Sequence, residues 1–190
     1  MRYVKRQQLL WSALAAAVII NITGFSFHTT LMPIFARDVL DRDSVGLGIL
    51  LSAFGIGGLA GSMFWASISD LRHTGLLCIL AVVGWHATMI VFATSTNFYL
   101  SVGILVVTGM MFSSTMVLIL TVLMKTARPD YRGRIMGLRT LAIYAHVFGS
   151  LATGAAAGVL GAPATAAIAG VLGIAMVIIL ALAAPKLRRF

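Results

Sequence analysis

Apolar residues run along this chain in six long blocks, and the polar residues collect in short segments between them. The blocks cover about 10–35, 45–69, 75–94, 98–124, 135–160 and 164–184. Each is long enough for a membrane-crossing helix, which takes roughly 20 residues. Barrel strands are shorter and alternate in polarity; the run Ala175-Met176-Val177-Ile178-Ile179-Leu180-Ala181-Leu182 does not alternate. Lipid offers the backbone no hydrogen-bond partner, so each block must close its own bonds as a helix. The predicted fold class is all-α, a polytopic membrane protein with six transmembrane helices. The links shrink to Ser95-Thr96-Asn97 between spans 3 and 4 and Gly161-Ala162-Pro163 between spans 5 and 6. Such links force antiparallel neighbours and predict a single six-helix domain over residues 1–190. The first block follows Arg2, Lys5 and Arg6, as a signal peptide's does. Its apolar run of roughly 25 residues exceeds the 7–15 of a secretory core, so it reads as a retained helix.

Composition closes off the soluble alternatives. The 190 residues are 60% hydrophobic and only 10% charged, where a soluble domain carries about 25% charged residues. That apolar surplus cannot be hidden in one water-soluble core. The net charge of +9, from 14 Lys+Arg against 5 Asp+Glu, then changes meaning once each charge is sorted by side. Twelve basic residues fall on one rim: Arg2, Lys5, Arg6, Arg72, Lys125, Arg128, Arg132, Arg134, Arg139, Lys186, Arg188 and Arg189. The other rim has Arg37 and Arg42, together with Asp38, Asp41 and Asp43. This bias predicts both termini in the cytoplasm and an even number of spans. Anionic lipid headgroups, and not nucleic acid, are the partners such a rim expects.

Candidate chemistry is sparse. No Asp, Glu, Lys or Arg lies deep within a span, although intramembrane carboxylates are the usual carriers of coupling ions. His28, His86 and His146 are the remaining groups able to relay a proton. Span 1 is the most polar helix, with Asn21, Thr23, Ser26, His28, Thr29 and Thr30. Helical periodicity puts Asn21, Phe25 and His28 on one face, a stripe that must meet another helix or a wet cavity. Pro33 loosens this helix near its outer end. Ser113 and Ser114 form a smaller polar group near the middle of span 4, and Phe27, Met110, Met111 and Phe112 are further lining candidates. Small residues recur every four positions at Ala53, Gly57 and Gly61 and at Ser150, Gly154 and Gly158. These stripes are grooves for close helix approach, either within the six-helix unit or toward a partner. The single Cys78 permits no internal disulfide and reads as a small buried hydrophobe. No Gly-x-Ser-x-Gly elbow, phosphate loop or metal-ligand cluster occurs, so no catalytic, cofactor or metal site is assigned.

Three segments together resemble the second half of the major facilitator superfamily, in its drug-efflux and siderophore-export branch. Leu31-Met32-Pro33-Ile34-Phe35-Ala36-Arg37-Asp38-Val39-Leu40, running into Gly46-Leu47-Gly48-Ile49-Leu50-Leu51-Ser52-Ala53-Phe54-Gly55-Ile56-Gly57-Gly58-Leu59-Ala60-Gly61, resembles the junction of the seventh and eighth helices. Ser69-Asp70-Leu71-Arg72 is similar to a degraded copy of the family's cytoplasmic loop motif, with His73 where the motif has Gly. Pro129-Asp130-Tyr131-Arg132-Gly133-Arg134-Ile135-Met136-Gly137-Leu138 resembles the entry to the eleventh helix. The resemblance implies an export carrier of two six-helix halves, exporting a small molecule by alternating access from a multi-pass site in the bacterial inner membrane. It implies that spans 1 and 4 line the cavity, that spans 3 and 6 lie outside, and that the glycine stripes of spans 2 and 5 meet the other half. By the same resemblance Asp70 pairs with Arg132 or Arg134 at a cytoplasmic gate. The expected partners are the bilayer, a small-molecule substrate, and either an N-terminal six-helix half or a second copy. Two other readings stand beside it: a non-transporting assembly or regulatory module built from a transporter half, and, more remotely, an intramembrane hydrolase.

Overall fold

The computed structural model describes residues 3–4, 7–68 and 71–190. Six helices are long and apolar enough to cross a membrane: Gln8–Asp38, Ser44–Ala66, Thr74–Ala93, Phe98–Thr126, Pro129–Leu160 and Ala162–Ala183. The first is interrupted. Helix α1 (Gln8–Thr23) leads through a wide π-turn (Phe27–Leu31) into α2 (Met32–Asp38). Spans 2, 3 and 4 are the unbroken helices α3 (Ser44–Ala66), α4 (Thr74–Ala93) and α5 (Phe98–Thr126). The fifth span also breaks, into α6 (Arg132–Ile143) and α7 (His146–Leu160), after a short turn at Pro129–Tyr131. Helix α8 (Ala162–Ala183) is the sixth span, and α9 (Pro185–Arg189) is a short tail helix.

Two of the helix starts are capped by side chains. Asp43 accepts from Gly46 N (3.0 Å) and Asn97 from Leu100 N (3.1 Å), so each caps an otherwise unpaired N–H of its helix. Before α4 the chain turns through His73 at φ 56°, the left-handed region where a side chain is costly and glycine is free. This is the position at which the resembling loop motif carries its Gly.

Helix α5 packs between α3 and α4, and α4 packs on through to α8. Helix α1 closes the unit from the other side, touching α5, α6, α7 and α8. The approach of α3 to α5 is among the closest in the fold. A Cβ built on Gly57 would collide with the Val106 carbonyl, and one on Gly109 with the Phe54 carbonyl. At Gly61 it would stand 2.7 Å from Met110 O. The Ala53, Gly57 and Gly61 stripe is therefore met by α5, so of the two uses open to these small residues the close approach inside the unit is the one seen here. On α7 the buried residues are the small Gly149, Thr153 and Ala157, with Gly149 set against the Ile22 backbone. Ser150 and Gly154 are half-buried and Gly158 is exposed with open space around it. That second stripe stays open, rotated one residue from the packed one.

The chain ends are knitted into the basic rim. Tyr3 stacks on Tyr131 (centroids 4.4 Å apart) and its hydroxyl accepts from Arg128 N at 3.2 Å. At the other terminus Gly75 N donates to Phe190 O (3.4 Å). Asp70, proposed from the sequence as a gate residue, lies outside the described residues. Arg132 and Arg134 are both exposed on α6, and Arg134 sits over the Tyr131 ring at 5.8 Å.

Candidate substrate-facing site

Pro33 has no N–H to give to Thr29 O, and its ring crowds that carbonyl. The turn just before it responds by widening, and the N–H of Met32 reaches five residues back to Phe27 O. Such π-turns inside helices concentrate at functional sites. His28 and Phe25 stand at this break, and the structure brings them together with Phe112 and His146, which the sequence also named.

Around them a cluster of rings draws on five spans. The His28 ring lies nearly parallel to Phe54 of α3 (5.0 Å, 25°) and edge-on to Phe25 (4.5 Å) and to Phe112 of α5 (5.4 Å). Phe54 and Phe112 are 5.3 Å apart, and Phe112 continues to Trp85 of α4 at 5.0 Å. On the opposite flank Phe25 meets His146 at 5.1 Å. His146 opens α7, so the interruptions of spans 1 and 5 face each other across this contact. In membrane carriers, discontinuous helices of this kind build sites for substrates, because freed backbone and polar side chains then line a cavity.

The polar atoms inside the cluster are unevenly satisfied. His146 Nδ1 lies 2.7 Å from Ile143 O. A carbonyl only accepts, so in the neutral ring Nδ1 carries the proton and Nε2 is left as an acceptor. His28 Nδ1 is buried and has no hydrogen-bond partner among the described residues. A buried polar atom without a partner costs roughly 1–3 kcal/mol, so the arrangement favours any ligand that supplies one.

The other sequence candidates go elsewhere. Asn21 is 3% exposed and its amide donates to Ala17 O at 2.7 Å. Ser114 donates to Met110 O at 2.7 Å, and Ser113 is buried beside it. Asn21 and Ser114 thus each bond a carbonyl of their own helix. Phe27 is buried on the far side against Phe92 (5.2 Å). Phe54 was not singled out by the sequence. Its signal was the neighbouring stripe, since Gly57 and Gly61 admit α5 so closely that Phe54 must meet Phe112. The third histidine, His86, ties α4 to α1. It is fully buried, with Nδ1 2.8 Å from Val82 O and Nε2 2.8 Å from Thr23 Oγ1.

Among the described residues no group of His, Cys, Asp and Glu is placed to hold a metal ion. Six apolar spans around a ring-lined break describe a multi-pass transporter fold. Residues 1–189 match the family described as transmembrane secretion effector, and the chain belongs to this family of major facilitator-type transporters. No curated protein and no solved structure matches the chain.

Proposed function

We propose that this six-span unit is one half of an exporter that moves a small amphipathic molecule by alternating access, with the His28 cluster as its share of the central site. The observation that carries this reading is the meeting of two interrupted helices, spans 1 and 5, around an imidazole whose Nδ1 lacks a partner among the described residues. The flanking Phe25, Phe54 and Phe112 offer apolar faces that adapt to varied ligands, and the imidazoles supply the polar contacts that orient them. With the basic rim in the cytoplasm, as the charge bias favours, a molecule enters from that side and leaves past Pro33.

A second six-helix unit completes the cavity. What supports this is the open apolar surface of α3 and α7, where Ile56, Leu59 and Met63, and Phe148, Leu151 and Val159, are exposed. The half-exposed Ser150, Gly154 and Gly158 stripe gives such a partner a place for close approach. The partner is a six-helix first half, whether on the same polypeptide or a separate one, or a second copy of this chain.

The test is an efflux assay of a fluorescent amphipathic dye in cells, with the chain alone, with a candidate six-helix first half, and with the His28→Ala variant of each. Export is expected in the assembled pair. His28→Ala is expected to lower it by about tenfold, the scale of one lost polar contact of about 1.4 kcal/mol. Export by the chain alone identifies a second copy as the partner. Export unchanged by both His28→Ala and Phe112→Ala overturns the assignment of the site.

A further inference from the structure

We propose that a groove at the basic rim, lined by Leu120, Thr121, Met124, Lys125 and Arg132, is a binding site for one anionic phospholipid. The groove has a volume of about 510 Å³ and joins the end of α5 to the start of α6. Its walls divide by chemistry along the membrane normal. Leu120 and Met124 are one helical turn apart and form an apolar floor, while Lys125 and Arg132 stand at the mouth where the helices meet the rim.

The two cations are not equivalent. Lys125 Nζ donates to Leu71 O at 3.0 Å, with Thr74 Oγ1 at 3.5 Å. Those contacts hold the ammonium in place and leave it a proton to give. Arg132 is exposed and pairs with no carboxylate among the described residues. The one described acidic side chain of this rim, Asp130, is at 4.0 Å from Arg128. An anion therefore finds a fixed ammonium beside a free planar guanidinium, the geometry that suits a phosphate's oxygens.

The apolar floor decides between a lipid and a free anion. Leu120 is 37% exposed and continues into the lipid-facing surface of α5, so an acyl chain can follow it while the phosphate stays at the rim. Basic pockets between helices at this level are sites for anionic headgroups. Lipid binding here is independent of what the protein transports.

The test uses the full chain, purified and stripped of lipid, and counts retained lipids by native mass spectrometry. Phosphatidylglycerol and phosphatidylcholine with identical acyl chains are the probes. The wild type is expected to retain phosphatidylglycerol about tenfold better, as two charge-assisted contacts allow. Arg132→Gln and Lys125→Met are expected to erase the preference, and Arg132→Lys, which keeps the charge without the planar fork, to keep part of it. Arg189→Gln, which removes the same charge from the tail, is expected to change nothing. Circular dichroism and elution volume establish that each variant is folded, and if Arg132→Gln does not purify, Lys125→Met decides. Equal retention of the two lipids overturns the proposal, as does an equal loss in Arg189→Gln. Displacement of the lipid by glycerol phosphate at equal concentration also overturns it, by making the site one for a soluble anion.

Discussion

Valine at position 57 will leave no folded protein, while alanine at position 55 will be tolerated. Both glycines lie in α3, two residues apart, and both changes add carbon to a helix. They differ in what the new atoms meet. A Cβ on Gly57 strikes the Val106 carbonyl, which is backbone and cannot swing aside, whereas a Cβ on Gly55 has nothing within 4 Å. To relieve the clash α3 must move away from α5, and that also separates Gly61 from Met110 and Phe54 from Phe112. Overpacking a core costs about 1–3 kcal/mol where side chains can shift; a carbonyl in the path puts Gly57→Val at or above the top of that range. Gly55→Ala is expected to gain a few tenths to about 1 kcal/mol from the lower cost of ordering alanine in a helix. Fluorescence-detected size exclusion of tagged variants separates the outcomes, with aggregate for Gly57→Val and a wild-type peak for Gly55→Ala. A wild-type peak for Gly57→Val would mean that α3 and α5 do not touch there.

Replacing His86 by alanine carries the second large effect. The imidazole is fully buried where three helices converge. Its Nδ1 bonds Val82 O within α4, its Nε2 bonds Thr23 of α1, and Gly173 of α8 lies so close that a Cβ there would run into the ring. The Val82 carbonyl can only accept, so the neutral ring holds its proton on Nδ1 and takes the Thr23 hydroxyl proton at Nε2. Thr23 alternatively donates to Ile19 O, at 2.8 Å. Alanine removes the bridge and leaves a void that the rigid neighbours cannot close, a loss of about 2–4 kcal/mol. His86→Gln retains an amide able to reach Thr23 and is expected to recover part of it. Thermal unfolding in detergent by circular dichroism measures the difference. Alanine melting with the wild type would show that the bridge is not holding α1 to α4.

How far the sequence reached depended on the kind of signal. Spans were legible because a membrane helix must be apolar along its whole length, and the six blocks fall within the six spanning helices except at ragged ends such as Thr94. Pro33 announced the break in span 1. Nothing announced the break at Tyr144 and Ala145, where span 5 has no proline and its carbonyls are caught instead by His146 and by short turn bonds such as Ala145 N to Ala142 O at 3.2 Å. Rotation about the helix axis was the harder quantity. Span 5 carries two small-residue stripes one position apart, and only packing against Ile22 selects Gly149, Thr153 and Ala157 over Ser150, Gly154 and Gly158. Polarity alone does not say which way Asn21 and Ser114 act, because a hydroxyl or amide in lipid can satisfy itself on its own helix, as both do here. His28 differs from them: it lies in the π-turn and no backbone carbonyl among the described residues takes its Nδ1.

Cys78 is the only cysteine and it is buried, so single-cysteine variants in a Cys78→Ala background report one position at a time. In the assembled carrier, His28→Cys is expected to react with a membrane-impermeant thiol reagent and to be shielded by a transported molecule. Ile179→Cys, on the exposed apolar face of α8, is expected to react only with a lipid-soluble maleimide. If the cysteine at position 28 is as deaf to the aqueous reagent as the one at 179, the ring cluster does not face a water-filled path.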